Sequence, residues 1–109
     1  MSTGFRQLAI RQVHRVAINS AATAITLKAK VEGKTLSLIW LAISVSGAGN
    51  IQLLSDATEI GNFQFAAAGD KLILPHNSDG WADAEVFEDL KLGNASALTV
   101  LGVAGYVEV

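Results

Sequence analysis

Short apolar segments separated by clusters of turn-forming residues limit what this chain can fold into more than any other feature. The clusters contain Gly, Asn, Asp and Ser and recur at intervals of roughly 8 to 15 residues, which is the spacing typical of a β-sandwich or β-barrel. The segments between them are rich in Val, Ile, Leu and Thr, residues that favour strands. No long helix fits between the clusters, so the sequence predicts an all-β fold.

Strands are predicted at the apolar segments. They cover residues 24–31, 34–46, 51–54, 63–65, 71–74, 83–86, 90–92 and 97–109. Apolar and polar residues alternate cleanly in 24–31, as expected of a strand with one buried face. Pro75 ends the strand at 71–74, because proline has no N–H group to donate to a sheet. The cluster from Gly47 to Asn50 is predicted to be a hairpin loop, since glycine reaches the φ angles of tight turns.

The strand from Lys34 to Ser46 is apolar on both faces. Strict alternation gives one face with Leu36, Leu38, Trp40, Ala42 and Ser44, and another with Ser37, Ile39, Leu41, Ile43 and Val45. Such a strand is either central in the core or covered by a neighbouring subunit. We expect Trp40 to lie in the core or at a subunit interface, where its large apolar area is buried. Ile39 and Ile43 are placed at the same interface.

Residues 1–20 are predicted to be an N-terminal arm or edge segment, and residues 21–109 a single β-sandwich domain. The stretch from Phe5 to Ile18 fits both a short amphipathic helix and an extended strand, and the extended form is favoured. This segment carries three arginines that are candidate contacts to a partner, namely Arg6, Arg11 and Arg15.

Charge is distributed unevenly along the chain. Residues 1–34 contain six basic side chains and one acidic side chain, whereas residues 35–109 contain two basic and nine acidic ones. The formal net charge of −2 therefore hides a basic first third and an acidic remainder. If these poles are also opposite in space, pairing between copies or with a neighbouring subunit is electrostatically favourable.

The composition suits a single domain whose surface is partly covered by neighbouring subunits. The chain has 109 residues, of which 50% are hydrophobic and 17% are charged, and it is more apolar than a monomer of this size needs. We therefore expect a homo-oligomer. The best apolar run, Leu36–Val45, is too short to span a membrane as a helix. No run of signal-peptide length precedes Arg11, so we expect a soluble, unprocessed chain without a membrane partner.

No catalytic or cofactor-binding pattern emerges from the sequence. The chain has no cysteine, which excludes thiolate nucleophiles and thiolate metal sites. His14 and His76 lack metal-ligand spacing, the acidic residues of 79–89 lack the order of an EF-hand loop, and the glycines form no phosphate-binding string. The basic residues lack a stacking platform of aromatic side chains. We expect no cofactor, no metal, no nucleic-acid partner and no enzymatic activity.

Trp81 follows a polar loop and forms a candidate ligand rim with Asn77 and Asp79. A tryptophan beside polar residues can stack on a sugar ring. Anchoring of the loop to the core is the favoured interpretation, because the large apolar area of an indole is usually buried.

An ordered series of features covers Gly33 to Val109, about 70% of the chain. The series consists of Gly33-Lys34-Thr35-Leu36, a glycine-rich loop before Ile51-Gln52-Leu53-Leu54-Ser55, Ala66-Ala67-Ala68-Gly69-Asp70, Leu72-Ile73-Leu74-Pro75 before Gly80-Trp81, Leu90-Lys91-Leu92, and the closing segment from Leu101 to Val109. This order resembles the small jelly-roll-like β-sandwich proteins of phage virions, of the capsid cement or decoration type. Residues 83–89 are more acidic than that type would lead one to expect.

The resemblance implies a non-enzymatic structural protein that self-associates, with a homotrimer favoured and a dimer allowed. Such a protein stabilises a shell by bridging neighbouring copies of the major capsid protein. The resemblance places it in the virion, on the capsid surface in preference to the tail, after assembly in the host cytoplasm. The alternative is a carbohydrate- or receptor-binding module of a phage tail or head fibre, with the rim at Trp81 as its site.

We predict that residues 1–20 reach across to a capsid protein or an adjacent copy, because of the basic charge of this end of the chain. Deletion of residues 1–15 is expected to abolish binding to the particle. Co-sedimentation with the shell measures that binding, and light scattering measures the oligomer mass. Unchanged particle binding would contradict the role of the arm.

Overall fold

Nine strands are present in residues 12–109, the part of the chain described by the structure, which is a computed structural model. They are β1 (His14–Ser20), β2 (Ala24–Lys28), β3 (Leu36–Val45), β4 (Gly49–Ser55), β5 (Thr58–Phe65), β6 (Lys71–Leu74), β7 (Ala82–Asp83), β8 (Leu90–Gly93) and β9 (Val100–Glu108). These residues contain no helix, so the predicted all-β fold is confirmed.

The strands form two antiparallel sheets. The order in the first sheet is β1-β9-β3-β6, with the short β7 also paired to β3, and the order in the second sheet is β2-β8-β4-β5. Apart from β7, the first strand pairs with the last, the second with the last but one, and so inward to the hairpin of β4 and β5. This nested pairing of eight strands is the jelly-roll arrangement. The predicted jelly-roll-like sandwich is therefore confirmed.

The core lies between the two sheets. It contains large aliphatic side chains that are at most 1% exposed, among them Leu38, Leu41, Ile51, Leu53 and Leu92. Full burial of such a side chain stabilises a fold by about 1.5–3 kcal/mol. No buried polar side-chain atom among residues 12–109 lacks a hydrogen-bond partner. Apolar packing therefore holds the sheets together without an unpaired polar group between them.

β3 contains a β-bulge at Ile39. Leu38 lies opposite Tyr106 of β9. Trp40 lies opposite the adjacent residue, Gly105, so Ile39 is the extra residue that a bulge inserts. The core receives the apolar side chains on either side of the bulge, which are Leu36, Leu38, Leu41, Ile43 and Val45. The predicted division of the strand into two faces was wrong, because strict alternation does not allow for an extra residue. The central place of the strand is confirmed, since β3 lies between β9 and β6.

Three other segments differ from the predictions. β3 and β4 belong to different sheets, so the loop at Gly47 crosses the sandwich and is not a hairpin loop. β5 begins at Thr58 and not at residue 63, because Gly61 lies inside the strand beside a register shift. Glycine inside a strand often marks such an irregularity. The strand predicted at 83–86 is reduced to β7, and Val86 lies in a turn.

β1 is an edge strand of the first sheet, where it pairs with β9 from His14 to Ser20. The extended form favoured for this stretch is observed over those residues, which form an edge segment of the sandwich, one of the two forms predicted for residues 1–20. Residues 1–11, which include Arg6 and Arg11, lie outside the described residues.

Asn94 follows β8 and is fully buried. Its Nδ2 donates to the carbonyl oxygens of Ala22 (3.1 Å) and Leu98 (2.7 Å), and its Oδ1 accepts from the N–H of Leu98 (3.0 Å). Asn94 therefore joins the turn between β1 and β2 to the loop between β8 and β9.

Replacement of Asn94 by alanine is expected to lower the free energy of unfolding by about 1–3 kcal/mol, because it removes the three hydrogen bonds that this buried side chain makes to the backbone of Ala22 and Leu98. Urea unfolding measures the loss. Ser96→Ala, at an exposed position in the same loop, is the control and should change the stability little. An equal loss in both variants would mean that the hydrogen bonds of Asn94 do not stabilise these loops.

Candidate interaction surface

The outer face of the second sheet is polar apart from Leu54, which lies between Lys91 and Glu59. Thr26 lies opposite Lys91 on this face, and Gln52 lies opposite Asn62. The carboxylate of Glu59 accepts hydrogen bonds from Gln52 Nε2 at 2.6 Å and from Asn62 Nδ2 at 3.3 Å. A face of this kind is well suited to contact with water.

The outer face of the first sheet contains a continuous apolar row. One row of paired residues crosses all four of its main strands, and it consists of Ala17, Val103, Ala42 and Ile73. Ile73 is 68% exposed. The row contains no polar side chain, so its apolar surface is continuous from one edge strand to the other.

One residue in each neighbouring row adds apolar area to this surface. Leu101, which is 47% exposed, lies between Asn19 of β1 and Ser44 of β3. Trp40 lies one row away on the other side. A shallow depression of about 200 Å³ is lined by Ala42, Ile43, Ser44, Lys71, Ile73 and Leu101. We define the apolar face as Ala17, Trp40, Ala42, Ile73, Leu101 and Val103.

Two cations flank the apolar face. Arg15 on β1 and Lys71 on β6 are both exposed and lie at opposite edges of the sheet. Arg15 lies opposite Gly105, and Lys71 lies opposite Ser44. The three rows described above contain no carboxylate. Arg15 and Lys71 therefore lie at the two edges of the apolar row, and the carboxylate residue Asp83 of β7 lies on the same side of the sheet, opposite Ser37.

The residues predicted for an interface fall into two groups. Trp40 and Arg15 lie on the outer side of the first sheet, and Trp40 is half-buried there. Its indole covers the backbone of Gly105, where an added Cβ atom would overlap the ring. Ile39 and Ile43 are only 1% and 3% exposed within the chain itself. The side chains of both residues are therefore covered within the chain, and Ile43 belongs to the core cluster because the bulge shifts which residues of β3 point inward.

The most exposed residues of the apolar face were not identified from the sequence. Ile73 and Leu101 each lie in a segment that is apolar at successive positions, so alternation alone does not show which side chain points outward. Their strand register supplies that information, since Ile73 is paired with Ala42 and Leu101 with Ser44. The available signal in the sequence was that apolar residues occupy both odd and even positions of 71–74, so that at least one of them had to point outward.

The candidate ligand rim is anchored by hydrogen bonds of Trp81 and Asn77. Trp81 donates from its backbone N–H to Leu38 O at 2.7 Å and from Nε1 to Pro75 O at 2.8 Å. Asn77 Oδ1 accepts from the backbone N–H of Asp79 at 3.0 Å, and the backbone N–H of Asn77 donates to Ile39 O at 3.0 Å. These bonds anchor the loop to β3, although 44% of the Trp81 surface remains exposed.

Basic and acidic residues are mixed at one end of the sandwich. Asp89 Oδ1 accepts a hydrogen bond from the backbone N–H of Lys30 at 2.7 Å. The ammonium of Lys30 lies 5.0 Å from the centroid of the Phe87 ring, and the N–H of Phe87 donates to Lys34 O at 2.9 Å. At this end of the sandwich the strands bring residues 30–34 beside residues 85–89. The basic first third of the sequence and its acidic remainder are therefore not separated in space there.

Comparison with known proteins adds no relative: no family model, curated protein or solved structure matches the chain. Among residues 12–109 there is no helix with the length and apolar composition needed to cross a membrane. The same residues contain no group of three or more His, Asp and Glu side chains placed to hold a metal ion.

Gly105→Ala is expected to lower the free energy of unfolding by about 1–3 kcal/mol, because the new methyl group displaces the Trp40 indole. Thermal unfolding measures the loss. Trp40→Ala removes the overlap, so the double variant should lose less stability than the two single losses together. Additive losses would show that the indole does not rest on Gly105.

Proposed function

We propose that this chain is a non-enzymatic structural subunit that associates with copies of itself through the apolar face of its first sheet. The particular role proposed is that of a capsid cement or decoration protein on a phage shell, with a homotrimer as the favoured assembly. The single observation that carries the proposal is the uninterrupted apolar row formed by Ala17, Val103, Ala42 and Ile73.

The contrast between the two outer faces supports an association surface. Both sheets are antiparallel, and antiparallel sheets commonly present a polar face to water. The second sheet does so, with Gln52, Asn62 and Glu59 joined by hydrogen bonds. Contiguous exposed apolar surface marks sites of contact with other molecules. The first sheet has such a surface, with Ile73 68% and Leu101 47% exposed.

Contact with a shell protein is assigned to the N-terminal residues. Residues 1–11 include Arg6 and Arg11 and no acidic side chain, which suits an acidic surface on a partner. They precede β1, an edge strand of the first sheet. Because Arg15 is part of β1, a deletion that removes only the arm ends at Arg11 and leaves the apolar face in place.

The association surface is tested by charge insertion. Ile73→Glu and Leu101→Glu are each expected to reduce the mass in light scattering to that of one chain, 11.4 kDa, because a buried unpaired carboxylate opposes association. Gln64→Glu, on the polar outer face of the second sheet, is the matched control and should retain the mass of the parent. Circular dichroism checks that all three variants are folded.

A parent protein that is monomeric at micromolar concentration would overturn the proposal. The same conclusion follows if Gln64→Glu dissociates as readily as the two variants of the apolar face. The role on a shell is tested separately, by asking whether purified virions of the encoding phage contain the chain. Its absence from them would overturn that role and leave the self-association standing.

A further inference from the structure

Asp79 is the one aspartate of the chain that is followed by glycine. The other four aspartates each precede a residue with a side chain, namely Ala57, Lys71, Ala84 and Leu90. An aspartate cyclises when the backbone nitrogen of the next residue attacks its side-chain carboxyl carbon, and a side chain on that next residue hinders the attack. Gly80 presents no such hindrance, so the sequence around Asp79 is the most favourable one for this reaction.

The aspartates also differ in what their carboxylates bind. Those of Asp56, Asp70 and Asp89 accept hydrogen bonds from backbone N–H groups at 2.7–3.0 Å. Asp79 and Asp83 are exposed, and within residues 12–109 no hydrogen bond or ion pair holds either carboxylate. A carboxylate that is not held can rotate toward the next backbone nitrogen. Asp79 therefore combines a free carboxylate with a following glycine, whereas Asp83 has the free carboxylate alone.

The backbone around Asp79 is a closed tight turn. Gly80 N–H donates to Asn77 O at 2.9 Å, and Asp79 N–H donates to Asn77 Oδ1 at 3.0 Å. Asparagine at the first position and glycine at the fourth are typical of a type I turn, and the side-chain bond makes it an Asx turn. Gly80 has a φ of 85°, which glycine adopts without steric cost. The nitrogen that would attack Asp79 is therefore engaged while the turn is closed.

The turn leads directly into contacts with β3. Trp81 N–H donates to Leu38 O at 2.7 Å, and its Nε1 donates to Pro75 O at 2.8 Å. A Cβ atom added to Gly80 would overlap Ser37 Oγ, so the backbone of the turn lies close against the strand. A longer backbone between Asp79 and Trp81 breaks some of these contacts, because the space between the turn and β3 is already filled.

We propose that Asp79 is a site of spontaneous isomerisation to isoaspartate and that the turn at Asn77 controls its rate. When the turn opens, the Gly80 nitrogen forms a bond to Cγ of Asp79. The amide hydrogen and the hydroxyl of the carboxyl group leave together as water, which gives a five-membered succinimide. A second water molecule then breaks the bond between the nitrogen and the main-chain carbonyl carbon of Asp79. That carbonyl becomes the free carboxylate, and the chain now runs through Cβ and Cγ.

Isomerisation adds one methylene group to the backbone and leaves the mass and the net charge unchanged. The bonds from Gly80 to Asn77 and from Trp81 to Leu38 cannot both keep their geometry in the longer chain. We therefore expect the loop between β6 and β7 to loosen from β3, with faster hydrogen exchange at the Trp81 N–H. The inference is independent of the proposed function, because it concerns this loop and not the apolar face.

Incubation of the purified full chain at neutral pH and physiological temperature tests the site. Protease digestion and chromatography then separate aspartyl from isoaspartyl peptides of equal mass. Isoaspartate is expected to accumulate at Asp79 and not at Asp83, which serves as the control within the same chain. Asp79→Glu is expected to abolish the product, because its ring would have six members and closes more slowly. Absence of isoaspartate at Asp79, or equal amounts at Asp79 and Asp83, would overturn the proposal.

The role of the turn is tested at Asn77. Asn77→Ala removes the acceptor for the Asp79 N–H and is expected to raise the rate about fivefold, the change in an opening equilibrium that one hydrogen bond of typical net strength makes. Asn77→Ser keeps a side-chain acceptor at the first position of the turn and should remain closer to the parent. Equal rates in the parent and both variants would overturn control by the turn.

Unfolding of the parent gives a second measurement that needs no variant. In urea the turn is open, so Asp79 is expected to isomerise faster than in the folded chain, while Asp83 remains slow because Ala84 still follows it. An Asp79 rate in the folded chain equal to that in urea would overturn control by the turn.

Discussion

The pairing of β3 with β9 is the interaction on which the rest of the structure depends. β3 lies in the middle of the first sheet, and its bulge at Ile39 lets Leu38 and Leu41 both point into the core. The same bulge places Trp40 on the outer side, where the indole covers Gly105 of β9. Core and outer surface are thus set by one local irregularity, because every side chain after the bulge changes its face.

A jelly roll has two outer faces, and in this chain the two faces differ in polarity. The outer face of the second sheet is polar and internally hydrogen-bonded at Glu59. The outer face of the first sheet has an apolar row with a cation at each edge of the sheet. Exposed apolar surface is unfavourable in water, and of the two outer faces it is that of the first sheet that carries a continuous apolar row.

Local patterns accounted for much of the fold but for little of the surface. The end of β6 before Pro75 follows from the chemistry of proline, and the alternation in β2 follows from one buried face. The bulge at Ile39 has no local signature in a run of apolar residues, and for that reason Ile39 and Ile43 were assigned to an interface although they are buried. Ile73 and Leu101 were missed for a related reason, since only pairing with Ala42 and Ser44 shows that their side chains point outward.

By itself, the sequence determined that the chain would form short strands, that these strands would pack as an all-β sandwich, and that no cysteine chemistry would be available. Those properties depend on residue type and on spacing between near neighbours. The tertiary structure decided which sheet each strand joins, which apolar side chains remain in water, and where charges meet. Lys30 and Asp89 illustrate the difference, because they are 59 positions apart in the chain and yet joined by a hydrogen bond. Contacts of that kind arise from the pairing of distant strands, and local sequence carries no record of that pairing.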